Sequence, residues 1–202
     1  LFFNLSTEDI RNILGFSSDT NLIIKRPWTI ITYMFVHFKL FHLLINMIFL
    51  YAFGKLLLKF LSNRKLFSNY ILGGISGALF FIIFSVNSDL IVEKDALVGS
   101  SASILSILVT SIVFTPDYSF KIFKRSNNSI KIKFIAIIFI LYSIINPMYS
   151  NNIGGLISHI GGIFYGILYI TLIKKDINLA HYIEQILEFN YSKKNKIVRK
   201  KN

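Results

Sequence analysis

The residues able to do chemistry in this chain are few, and they recur at the heads of apolar runs. Ser100 and Ser101 follow Gly99 at the head of one run, His159 stands near the head of another, and His42 and Asn46 near the head of a third. A serine hydroxyl attacks an acyl carbon when an imidazole takes its proton and fixed donors hold the developing oxyanion. A serine at this step can be the nucleophile and His159 the base. His42, Asn46 and the backbone N–H of Ser101 can be the donors, because N–H groups at a helix start have no partner in the helix. His42 and Asn46 are four residues apart and share one helix face. Taken alone, a serine here has a plainer use, bonding a carbonyl one turn back or a neighbouring helix. All ten acidic residues lie outside the apolar runs. A hydrolase built on these residues therefore works with a Ser–His dyad and no buried carboxylate.

The elements that must position these groups are membrane helices. The 202 residues are 53% hydrophobic, with a mean hydropathy of +0.59, beyond the range of an ordinary soluble domain. There is no cysteine, which excludes disulfides and thiolate metal sites. Five apolar segments, at 38–54, 67–86, 97–115, 134–145 and 155–173, predict an all-α polytopic bundle. The fourth is short and is expected to extend in both directions. Residues 1–27 read as a loop with short interfacial helices, Thr7 being the N-cap suggested by Ser6-Thr7-Glu8-Asp9. Residues 28–173 form the membrane domain. Residues 174–202 form a basic tail that starts as an interfacial amphipathic helix.

Charge fixes the expected sidedness. The net charge of +12 is spread between the apolar runs and not over one folded face, so nucleic acid is not an expected partner. The loop from Lys55 to Lys65 carries +4, the one with Asp89, Glu93, Lys94 and Asp95 carries −2, and the one from Asp117 to Lys133 carries +4. Residues 148–153 are uncharged, and the tail carries +5. Positive loops alternate with neutral or negative ones, which predicts a multi-pass protein with residue 1 outside and the tail cytoplasmic. The setting expected from this is a bacterial plasma membrane. Spans one, three and five then run inward, and all the candidate site residues fall within roughly the outer third of the bilayer. Polar residues at such depth usually face the bundle interior and are functional.

The pattern His37-x4-His42-x3-Asn46, then Gly99-Ser100-Ser101-Ala102, then His159-x2-Gly162-x3-Gly166 resembles the rhomboid intramembrane serine proteases. The resemblance runs from about Pro27 to Ile173. It implies Ser101 as nucleophile through the family's Gly-x-Ser spacing, His159 as base, and His42 and Asn46 as oxyanion donors. Gly162 and Gly166 match the family's small residues that pack the histidine helix against the serine helix, a close approach that Gly-xxx-Gly spacing also permits on physical grounds. The chain departs from the family in four places. Trp28-Thr29 stands for Trp-Arg, Leu105 for an aromatic one turn after the serine, and Ala102 for the usual glycine. Only five of six core helices are visible, and the first residue is Leu1, so a sixth helix is expected before it.

The resemblance implies an endopeptidase that cuts in or beside the transmembrane segments of other proteins, at small residues and locally unstable helices. Such a site must hold an extended strand, because an intact helix hides its carbonyls, and it must admit water. The lipid bilayer and transmembrane clients are the expected partners, and no cofactor is expected. A zinc site from His37, His42 and His159 has no HExxH pattern or carboxylate beside it. His37 otherwise reads as structural and His181 as surface. The runner-up is a non-catalytic relative that escorts membrane clients, against which both Ser101 and His159 speak. A transporter would call for paired intramembrane charges or broken helices at the midplane, whereas every acid here lies outside the apolar segments.

Overall fold

The structure, a computed structural model, describes residues 6–86, 96–121, 129–177, 181 and 185. Three short helices come first: α1 (Thr7–Leu14), α2 (Thr20–Lys25) and α3 (Thr29–Thr32), the last running into a 3-10 turn at Tyr33–Phe35. Then follow α4 (Leu40–Leu57), α5 (Asn63–Val86) and α6 (Ser101–Phe114). A small hairpin of β1 (Ser119–Lys121) and β2 (Ser129–Lys131) leads into α7 (Ile132–Tyr149) and α8 (Ile153–Ile173). Asp89, Glu93, Lys94, Asp95 and, apart from positions 181 and 185, the amphipathic helix expected beyond residue 177 lie outside the described residues.

Two expectations change. The N-cap of α1 is Ser6, not Thr7. Ser6 Oγ accepts the Asp9 N–H at 3.1 Å while the Asp9 carboxylate accepts the Ser6 N–H at 2.9 Å. This reciprocal capping box needs a carboxylate three residues on, a spacing that Ser6 has and Thr7 lacks. The five spans expected become four helices long and apolar enough to cross a membrane, α4, α5, α7 and α8, and one shorter apolar helix, α6. With 14 residues α6 is about 21 Å long, short of the ~30 Å hydrocarbon core. The fourth segment does extend both ways, to 132 and 149.

Helix α6 is short because its lead-in is extended. Leu97 pairs with Phe16 through both backbone hydrogen bonds, at 3.0 and 2.8 Å, and Gly99 N–H donates to the Tyr33 carbonyl at 2.9 Å. Non-helical backbone inside an apolar bundle is tolerated only when protein groups satisfy it, as here. The helix itself is the axis of the fold. Ala102 to Ser111 are buried without a break, against α4, α5, α7 and α8. Small residues allow that crowding. A methyl on Gly73 would reach Ser106 Cβ at 2.5 Å, and one on Gly77 would reach both Ala102 Cβ and Ser158 Oγ at 2.7 Å. Polar side chains then tie the helices where hydrocarbon offers no hydrophobic drive. Asn69 donates to Thr110 Oγ1 at 3.0 Å, and Ser76 donates to the Gly161 carbonyl at 2.8 Å.

The N-terminal stretch closes the end of the bundle where α6 begins. Phe16 is fully buried, its ring 6.1 Å from Tyr33 and 6.3 Å from Phe81. Trp28 Nε1–H donates to the Ile13 carbonyl at 2.9 Å, joining α1 to the segment before α3.

Candidate active site

Ser101 is the first residue of α6, and its Oγ lies 2.6 Å from His159 Nε2 on α8. The other ring nitrogen, Nδ1, lies 2.6 Å from the backbone carbonyl oxygen of Ser143 on α7. A carbonyl oxygen only accepts, so Nδ1 carries the ring proton of a neutral imidazole and Nε2 is bare. The Ser101 hydroxyl therefore donates to Nε2, which is the polarity that nucleophile activation needs. Ser100, adjacent in sequence, turns the other way. Its Oγ lies 3.2 Å from His37 Nε2, and its backbone N–H donates to the same nitrogen at 3.3 Å.

The close approach of α6 and α8 has a backbone origin. A methyl on Gly162, three residues past His159, would run into the Ala102 carbonyl. One on Gly166 would come within 2.8 Å of the Ser106 carbonyl oxygen. Bare Cα atoms on this stripe let the histidine helix come within bonding reach of Ser101. Gly99 adds a second requirement, because its φ of +112° lies where L side chains rarely go and a Cβ would meet His42 Cε1 at 3.0 Å.

Asn46 and His42 both reach this place from α4. Asn46 is 1% exposed, and its Nδ2 donates to His37 Nε2 at 3.2 Å. The rings of His37 and His42 meet edge to face with centroids 5.2 Å apart. Burial first, and then the neighbouring His42, hold the His37 imidazole below its ordinary pKa, which keeps Nε2 available as the acceptor. Ser101, His159, His42 and Asn46 line one cavity of about 570 Å³. Among the described residues, no three metal-ligating acid, histidine or cysteine side chains converge.

The rhomboid-domain family model matches residues 25–176, most of the chain. The chain belongs to the rhomboid family. No curated protein matches it significantly. A rhomboid-family chain with four helices of crossing length is an integral membrane protein. Its outward apolar side chains, among them Ile48 and Tyr51 on α4 and Ile138 and Leu141 on α7, are at least half exposed in the bare protein and form the surface for lipid.

Two partners at this candidate site were not among the site residues expected from the sequence. The carbonyl of Ser143 is backbone, and side-chain motifs say nothing of backbone acceptors. His37 reads as an interfacial histidine, yet it joins Asn46 of α4 to the Ser100 N–H just before α6. Its place five residues ahead of His42 was the available hint. Leu105, where the resemblance implied an aromatic, is fully buried and offers the imidazole no ring.

Proposed function

We propose that this rhomboid-family protein is an intramembrane serine endopeptidase that hydrolyses peptide bonds in or next to the transmembrane segments of other membrane proteins. The observation that carries the reading is the 2.6 Å pairing of Ser101 Oγ with a His159 Nε2 left bare by the Nδ1–H bond to Ser143. Ser101 attacks the scissile carbonyl carbon as His159 Nε2 accepts its proton. The tetrahedral oxyanion takes donors from His42, Asn46 and the Ser101 N–H, on the cavity wall. His159 then delivers the proton to the leaving amine, the acyl-enzyme is hydrolysed by water with His159 again as base, and Ser101 is regenerated. Gly162 and Gly166 hold the base helix against the nucleophile helix.

The cavity suits an extended peptide and is wide enough for water. Positive-inside charge supports an orientation in which this end of the bundle faces outward and the tail faces the cytoplasm. The test is cleavage of a model transmembrane substrate by the purified protein in lipid, with fluorophosphonate labelling alongside. Wild type is expected to cleave and to be labelled; Ser101→Ala is expected to do neither, and His159→Ala to lose both nearly completely. Cleavage that survives Ser101→Ala would overturn the reading. A folded wild type that never reacts would favour a client-escorting role instead.

A further inference from the structure

In an α-helix the carbonyl of residue 143 accepts the N–H of residue 147. Residue 147 is Pro147, buried within α7, and proline has no N–H to give. The proline ring also crowds the carbonyl four residues back and turns it off the helix ladder. The carbonyl so released is the one that takes the His159 Nδ1–H at 2.6 Å. We propose that Pro147 is a positioning residue for the histidine base: its missing N–H leaves the Ser143 carbonyl to select the His159 tautomer and aim its ring. The kinetic part of this inference rests on the protease reading; the tautomer part does not.

Three further observations support it. Ser143 is 4% exposed, so its carbonyl has little access to water and needs a protein donor. The corner between α7 and α8 is tightly bonded. Asn152 N–H donates to the Pro147 carbonyl at 2.9 Å, and Asn152 Oδ1 caps α8 by accepting the Gly155 N–H at 2.9 Å. The released carbonyl is thereby held at a set distance from the helix that bears His159. Finally, among the described residues no acidic side chain bonds His159, and Leu105 offers it no ring. A neutral imidazole free to choose would also populate the Nε2–H form, which donates to Ser101 Oγ and cannot accept its proton.

The experiment is nitrogen-15 NMR of imidazole-labelled full chain in lipid nanodiscs, with His159 assigned through His159→Gln, and steady-state kinetics on the same samples. Wild type is expected to show the Nδ1–H tautomer at His159. Pro147→Ala returns an N–H to position 147. It is expected to shift His159 toward the Nε2–H tautomer and to lower kcat at least about tenfold with KM unchanged. The α-hydroxy analogue of alanine at position 147 again has no N–H, and it is expected to restore both tautomer and kcat. An Nε2–H tautomer in wild type would overturn the inference. So would an unchanged tautomer in Pro147→Ala, or a hydroxy analogue that behaves like Pro147→Ala. If the tautomer responds as stated and no variant, wild type included, cleaves anything, the inference stands and the protease reading fails.

Discussion

At the scale of single residues, the site is two histidine arrangements back to back. One ties His159 between Ser101 and the Ser143 carbonyl, and the other ties His37 between Asn46 and Ser100. If Asn46 is an oxyanion donor, Asn46→Ala removes a charge-stabilising hydrogen bond made chiefly in the transition state. The expected result is a loss of about 10²–10³ in kcat with KM little changed, read from steady-state cleavage. His37 bears on stability. Its folded pKa is lowered by burial and by His42, so the unfolded chain takes up a proton at this position before the folded one does. The stability it lends is complete above the ordinary histidine pKa and is lost as pH falls from there toward the lowered value. Thermal unfolding followed across that window is expected to show a falling midpoint in wild type and a flatter profile in His37→Gln. An identical slope in both would show that His37 is not the group responsible.

At the scale of elements, the decisive contact is α6 on α8, and it depends on atoms that are absent. Gly162→Ala puts a methyl into the Ala102 carbonyl, which is backbone and cannot step aside. Overpacking of this kind costs about 1–3 kcal/mol, and it also moves His159 from Ser101. Lowered thermal stability in detergent together with lost activity is the expected outcome. Gly54→Ala near the end of α4 is the contrast, since its methyl meets only Leu66 Cδ2 at an ordinary 3.6 Å. There the reduced freedom of the unfolded chain is expected to leave stability unchanged or raise it by up to about 1 kcal/mol. Equal losses at the two positions would mean that helix packing at Gly162 is not special.

At the scale of the whole molecule, a buried short helix is ringed by longer ones, and the end that carries the candidate site is closed by residues before α4. Lys55, Lys59, Arg64 and Lys65 belong to the opposite end, and residues 148–153 to the candidate-site end. The absence of native cysteine makes the proposed orientation testable with single introduced thiols. Ser150→Cys in intact cells is expected to react with a membrane-impermeant maleimide, and Ser62→Cys is expected to react only after lysis. Both serines are exposed in the fold. The reverse pattern would place the basic loops outside and sink the orientation.

The chain's order of apolar runs was enough to read an all-α membrane bundle, because spanning hydrocarbon demands length and apolarity that are local properties of sequence. The candidate side chains could be picked out only as a set, His42 and Asn46, then Ser101, then His159 in order and spacing, because the same apolar runs also carry Asn69, Ser76 and Thr110, which tie helices together. Sequence alone could also say that every acid lies outside the apolar runs, which predicts a base without a buried carboxylate partner. The tertiary structure decided which atoms meet. Ser101 rather than Ser100 faces His159 because the extended lead through Leu97 and Gly99 sets where α6 starts, and that lead is held by Phe16 and Tyr33 from distant sequence. It also decided what orients the base. The partner is a backbone carbonyl, which every residue possesses; the packing of α7 against α8 brings the one at Ser143 to His159, and Pro147 leaves that carbonyl without its helical donor.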